Sequence, residues 1–307
     1  MKITGEKCYG HAVILCTNLI FGMNIPIAKS VLSEEVLSPF ALTLLRMAVA
    51  TLFFWGIGLF TKSEKVPAKD LLLMLFASFF GLAGAQISFA FALQNSSPVS
   101  LSLISSLTPV VVMLLAALFL KEPVSWKKTI GVLFGVAGAS LIIVNSLHTI
   151  VVGENRMLGN LLGVVNIVSY AIYLVMIRPI AQRYSAVTVM KWMFLFSVPL
   201  SMPWGMGDLL SAKLFTSETT VTELLSVTYI VVFATTIAYF LIPIGLKRMR
   251  PTTVSMYSNI QPIVASTVAI VVGQDVFSWD KPLAAVLVLY GVYLVTQSRA
   301  RTDTNIK

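Results

Sequence analysis

Ten apolar runs, each close to the length of a bilayer crossing, occupy nearly all of this 307-residue chain. They fall at about 10–31, 38–60, 70–91, 97–120, 126–147, 157–181, 185–206, 223–246, 251–273 and 279–297. A helix crossing the hydrocarbon needs roughly 20 mostly apolar residues. The joints between runs are short and polar, with no room for a separate soluble domain. Charged residues are 11% of the chain and hydrophobic ones 57%, whereas a soluble domain carries about 25% charge. The expectation is an all-α membrane protein with ten transmembrane helices. The opening MKITGEK before an apolar run has the look of a signal peptide, but no small-residue cleavage site follows. Pro26 and Lys29 also interrupt where such a segment would end, so Gly10 to Val31 reads as a permanent first helix.

The net charge of +9 is a matter of topology. Of the 22 Lys and Arg, 17 fall on one side of the alternating spans and three (Arg156, Lys213, Lys281) on the other, while Lys29 and Arg46 lie inside spans. Basic residues gather on the cytoplasmic side. Both termini are therefore expected in the cytoplasm, the number of spans is expected to be even, and no nucleic-acid partner is implied. Cys8 and Cys16 are too far apart for a CxxC pair and read as reduced thiols.

The chain also repeats itself. At an offset of 153 residues Pro26 falls on Pro179, Pro98 on Pro251 and Pro109 on Pro262. Ser125-Trp126 falls on Ser278-Trp279, Gly138 on Gly291, and Asp70 on Glu223. Residues 1–150 and 151–307 are thus expected to be two repeats of five spans each. Five is odd, so the second repeat must run through the membrane inverted. Many secondary transporters are built this way, with the substrate site near the midplane between the halves.

Specific motifs follow in order along this frame: FG-x-N-x-P-x-x-K from Phe21 to Lys29, SPF-x-x-x-x-x-R from Ser38 to Arg46, and ALQNSSPVSLSLISSLTPVVVMLLAALFLKEPVSW through the fourth span. Their order resembles that of the EamA-type transporters of the drug/metabolite transporter (DMT) superfamily, over essentially the whole chain. Phe21 departs from it, standing where a tryptophan is common. The resemblance implies a central cavity lined by spans one to four and six to nine, with five and ten behind. It further implies alternating access for small metabolites, and in bacteria usually export across the inner (plasma) membrane.

The residues themselves suggest where that cavity would be. Pro109 has no N–H and so frees the carbonyl of Ser105. It lies about 11 residues, or roughly 16 Å of helix, beyond Pro98, near mid-bilayer. Ser102, Ser105, Ser106 and Pro109 share one helical face by their spacing. Ser255, Ser258, Asn259 and Pro262 repeat the device in the second half. These hydroxyls either line a site or only bond their own helices and ease close packing. Asn24, Gln86, Tyr170, Tyr173, Tyr239 and Tyr257 are further polar candidates at membrane depth. Gln86 aligns with Tyr239 at the repeat offset, so the two are expected to face one another. The tyrosines offer aromatic walls, with the interfacial belt as their alternative. Arg46, two turns into its span, must face the bundle or water; it meets either helix-end carbonyls or an anionic substrate group. Lys29, nearer an end, can snorkel.

A small-molecule substrate and the lipid bilayer are the expected partners, and neither a metal nor a cofactor is implied. All 13 acidic residues and both histidines lie in loops or at span ends, so a buried carboxylate proton relay is not expected. Gly131, Gly135 and Gly138 form a small-residue stripe for close packing, within the bundle or at a homodimer contact. The leading reading is a secondary transporter that exports small organic metabolites such as amino acids or related amphipathic compounds. A channel or receptor on the same bundle is the alternative. HExxH, GxSxG and Walker motifs, and an intramembrane Asp pair, do not occur, so an enzyme is not supported.

Overall fold

Apolar side chains clothe each helix on its outer face while the few polar ones turn inward, the reverse of a water-soluble bundle. In the computed structural model, which describes residues 2–96, 101, 104–145, 156–271 and 279–297, Leu52, Leu59 and Phe60 point outward and are exposed, whereas Arg46 on the same helix is buried. In water so large an apolar surface would drive association; against lipid it is the solvated face.

Every regular element among the described residues is a helix. In chain order they are α1 (Lys2–Ser33), α2 (Pro39–Phe60), α3 (Ala68–Asn95), α4 (Thr108–Leu120), α5 (Trp126–Asn145) and α6 (Arg156–Arg183). Then follow α7 (Ala186–Leu210), α8 (Val221–Arg248), α9 (Pro251–Met256), α10 (Gln261–Val271) and α11 (Asp280–Gln297). Six are long and apolar enough to cross a membrane: Cys8–Ser33, Pro39–Phe60, Ala68–Asn95, Met157–Arg183, Ala186–Leu210 and Val221–Arg248. Three of the other four expected spans run into residues outside the description. The fourth, 279–297, contains the shorter apolar helix Ala285–Gln297.

Local chemistry fixes the helix starts. Ser38 caps α2 by accepting the Ala41 N–H at 3.1 Å, with Pro39 in the first turn, where its missing N–H costs nothing. Thr220 and Glu223 form a reciprocal capping box at the head of α8. Lys213 then closes on Glu223 at 2.7 Å. Its pKa is raised, first by that hydrogen bond.

Both halves bend in the same register. α3 carries a π-helical segment at Phe79–Gly84 and α8 one at Val232–Ile237, the same positions 153 residues apart. Such segments leave backbone carbonyls without their usual i+4 partner. Thr235 and Thr236 reach five residues back to the carbonyls of Ile230 and Val231, at 2.7 and 2.9 Å. The prolines interrupt the next helices alike. Leu107 stands in a turn before α4, and a 3-10 turn, Tyr257–Ile260, separates α9 from α10.

Glycine decides how α5 meets α11. A Cβ on Gly131 would lie 2.8 Å from the Gly291 carbonyl oxygen, and one on Gly291 would meet the Gly131 oxygen at 2.5 Å. The small-residue stripe is therefore used inside the chain at Gly131 and also at Gly135, which abuts Asn259. A large apolar core joins α2, α3, α6, α7 and α8, with Phe54 and Phe194 stacked at 5.5 Å and Met47, Met74 and Met193 beside them.

Candidate functional site

A cavity of about 100 Å³ lies within the bundle. From the first half it is lined by Phe21, Asn24 and Ile25 of α1, Arg46 of α2, Ala85, Gln86 and Phe89 of α3, and Ser105 and Thr108 at the helix break. The second half contributes Asn166 and Tyr170 of α6, Tyr239 of α8, Ser258 of the 3-10 turn and Gln261 of α10. Seven of the thirteen candidates meet here: Asn24, Arg46, Gln86, Ser105, Tyr170, Tyr239 and Ser258.

Arg46 is the cavity's one charge among the described residues. It is 3% exposed, and its Nε donates to the Thr235 hydroxyl at 2.6 Å. No described carboxylate pairs with it. A guanidinium presents five donors in a rigid fork, and Arg46 lines the cavity. Gln86 Nε2 donates to the Tyr239 hydroxyl, linking positions 153 residues apart. The rings of Tyr239 and Phe21 pack in a T shape, their centres 5.6 Å apart. Asn166 donates to the Ala85 carbonyl at 2.7 Å, just past the π segment, and Gln261 to Asn18 Oδ1 at 2.8 Å. The Oδ1 of Asn24 is buried without a partner. The lining thus combines one cation, amide and hydroxyl groups, and aromatic faces. It is suited to holding a small amphipathic molecule. Among the described residues no group of three His, Cys, Asp or Glu stands ready for a metal.

Five described candidates do not line this cavity. Tyr173 is 0% exposed, its ring lying on the Gly81 backbone, where a Cβ would collide with it, and its hydroxyl has no partner in the core. Tyr257 is drawn towards the start of α1, where its hydroxyl meets His11 Nδ1 at 2.7 Å. Asn259, 0% exposed, turns to Gly135 of α5. Pro109 and Pro262 break their helices without facing the space, and Ser102 lies outside the described residues. The carbonyls that the prolines were expected to free are already occupied. The Thr108 hydroxyl donates to Ser105 O at 2.6 Å, and the Gln261 N–H donates to Ser258 O. The break tightens into 3-10-like geometry, and a neighbouring donor fills the gap. Lys29 donates to the Leu93 carbonyl at 2.7 Å, joining α1 to α3.

Several lining residues escaped the sequence reading. Phe21 and Phe89 are one turn from Asn24 and Gln86 on the same faces, a spacing that could have named them. Thr108 was passed over beside Pro109. Nothing in the sequence distinguished Ile25 or Ala85 from packing residues.

Fold and lining together define a multi-pass helical membrane protein with a polar chamber enclosed by both halves of its chain. The EamA-like transporter family model matches residues 9–144 and 157–297. The chain belongs to this family of the DMT superfamily, and it is a membrane transporter. It is 22% identical over 302 residues to the uncharacterized transporter YetK of Bacillus subtilis, covering 97% of this chain and 90% of that one. A WAT1-related protein of Arabidopsis thaliana is 23% identical over 293 residues, 88% of this chain and 85% of its own. One crystal structure shares the fold with a TM-score of 0.73 at 21% identity, over 95% of this chain and 97% of that chain.

Proposed function

We propose that the protein is a secondary transporter that exports small organic metabolites, amino acids or related amphipathic compounds, by alternating access around this cavity. In this reading ten crossings form two inverted five-helix repeats, with both termini in the cytoplasm of a bacterial inner membrane. Arg46 takes an anionic group of the substrate, and the rings of Phe21, Tyr170 and Tyr239 take its apolar part. The observation that carries the reading is the cavity lining. Equivalent positions of the two halves, Gln86 and Tyr239, are hydrogen-bonded to each other at its wall. Two near-equivalent halves can exchange conformations, so inward-open and outward-open states come at similar energy. The matched π segments in α3 and α8 support the same view.

Side-specific labelling tests it. Cys8 and Cys16 are both exposed and are first replaced by serine. Ser105→Cys and Ser258→Cys are then probed with a membrane-impermeant thiol reagent from each face of oriented vesicles. Substrates from an amino-acid and toxic-analogue panel should shift protection from one face to the other. Labelling of both positions from both faces at once would describe a fixed pore and end the carrier reading.

A further inference from the structure

Lys191 lies in the second turn of α7, near the end of the bundle at which basic residues gather. Its stem crosses Gly58 of α2, where a Cβ would come within 3.1 Å of the lysine Cδ. Its Nζ rests 4.9 Å from the ring centre of Trp55 and 5.6 Å from that of Trp192. The two indoles pack in a T shape with centres 5.6 Å apart, and Trp192 stacks on Phe196 one turn further along α7. A glycine gap and rings from two helices thus hold one ammonium in place.

Helix length sets the depth of this cluster. The 22 residues of α2 extend about 33 Å, little more than the roughly 30 Å of hydrocarbon. Trp55 stands five residues before the end of α2, and Lys191 five after the start of α7. Both are therefore about 7–8 Å inside their helix ends, at the border of acyl chains and headgroups where indoles collect. Trp55 is 37% exposed, and Leu52 and Leu59, one turn to either side of it, are exposed as well. The cluster faces lipid.

The ammonium is held but not satisfied. It carries three donors; ring faces attract its charge but offer its N–H bonds no oxygen. Among the described residues no carboxylate pairs with Lys191 and no oxygen accepts from its Nζ. Packing does not seal Nζ from outside. The sidedness of basic residues accounts for a lysine at this end, and snorkelling would take its head into water. Neither accounts for an ammonium held back against two rings on a lipid-facing surface.

We propose that Lys191, Trp55 and Trp192 form a binding site for the headgroup of an anionic phospholipid in the adjoining leaflet. The lipid phosphate accepts from Nζ, and the glycerol and upper acyl chain lie on the indoles. Charge complementarity decides the lipid class. The single negative charge of phosphatidylglycerol is neutralised by Lys191. Phosphatidylcholine brings a cation of its own, which Lys191 repels, and the aromatic faces that would receive a trimethylammonium are already taken by the lysine. This site does not depend on what the midplane cavity carries.

Trp126, Trp204 and Trp279, the other three tryptophans, are exposed and are replaced by phenylalanine, which keeps a ring at each position. Fluorescence of the full chain then reports Trp55 and Trp192 alone. The protein is reconstituted in phosphatidylcholine vesicles with an equal minor fraction of either brominated phosphatidylglycerol or brominated phosphatidylcholine, since bromine quenches an indole at short range. Quenching should give phosphatidylglycerol about a fivefold higher relative binding constant, the preference one cation confers near an anionic headgroup. Lys191→Gln should bring that ratio close to one, and Lys191→Arg should keep it. Equal quenching by the two lipids with Lys191 in place overturns the proposal. So does a preference that Lys191→Gln leaves intact, because it would belong to the general field of the basic end. The first comparison alters nothing at the site, so it holds whether or not the variants at position 191 fold.

Discussion

Arg46→Met separates a structural arginine from a ligand-binding one. Methionine keeps an unbranched apolar stem of similar length to the arginine's up to Nε and removes the charge and donors. Taking a cation from membrane depth should recover about 2.5–3.5 kcal/mol on insertion scales. Against this stands the bond from Nε to Thr235; a hydrogen bond to a charged group contributes about 1.5–3 kcal/mol. Thr235 is not orphaned by the change, because its hydroxyl still donates to the Ile230 carbonyl at 2.7 Å. With no carboxylate partner left behind among the described residues, the opposing terms cancel to within about 2 kcal/mol. Thermal unfolding in detergent should therefore show a folded protein close to the parent in stability. Uptake into inside-out vesicles should tell a different story. Substrates bearing a carboxylate should lose about 100-fold in transport, the loss expected for a good charge-assisted pair. Their neutral amides should be little affected. A variant that fails to fold, or loses transport of charged and neutral substrates alike, would refute the reasoning and make Arg46 a structural tie between α2 and α8.

Other substitutions follow from particular contacts. Gly291→Ala would set a Cβ 2.5 Å from the Gly131 oxygen and 2.7 Å from the Gly135 nitrogen. Backbone cannot yield there as a side chain would, so thermal unfolding should show a loss of about 1–3 kcal/mol. Tyr239→Phe leaves the Gln86 amide without its partner, and an unsatisfied buried donor costs about 1–3 kcal/mol; vesicle transport should fall along with stability. Thr220→Ala removes the cap of α8 and should lower stability by about 1 kcal/mol without changing substrate preference. If it alters preference, the capping box is coupled to the cavity.

Much of this was legible in the sequence because a bilayer gives the chain few options. Only internally bonded backbone can cross hydrocarbon, so run length alone gave the class and six of the crossings. The repeat offset predicted that Gln86 and Tyr239 would meet, and they do. The misses share one cause. Helical spacing says which residues share a face, but not which neighbour that face meets. Tyr173, Tyr257 and Asn259 sit on faces rich in polar residues, yet Gly81, His11 and Gly135 claim them. The freed carbonyls at the prolines were inferred from ideal helix geometry, and the backbone relieved that need itself by tightening a turn.

What the sequence by itself determined was the helical class, the repeat offset and the polar residues a chamber could use, which follow from composition and periodicity along the chain, and a resemblance to the family, which rests on the order of its motifs. Tertiary structure decided which of those residues share one space, that Arg46 enters it without a carboxylate partner, and that Lys191 rests against the indole of Trp55. Such facts depend on distances between residues 100 or more positions apart, like the 189 separating Arg46 from Thr235. Only the packing of one helix on another sets those distances.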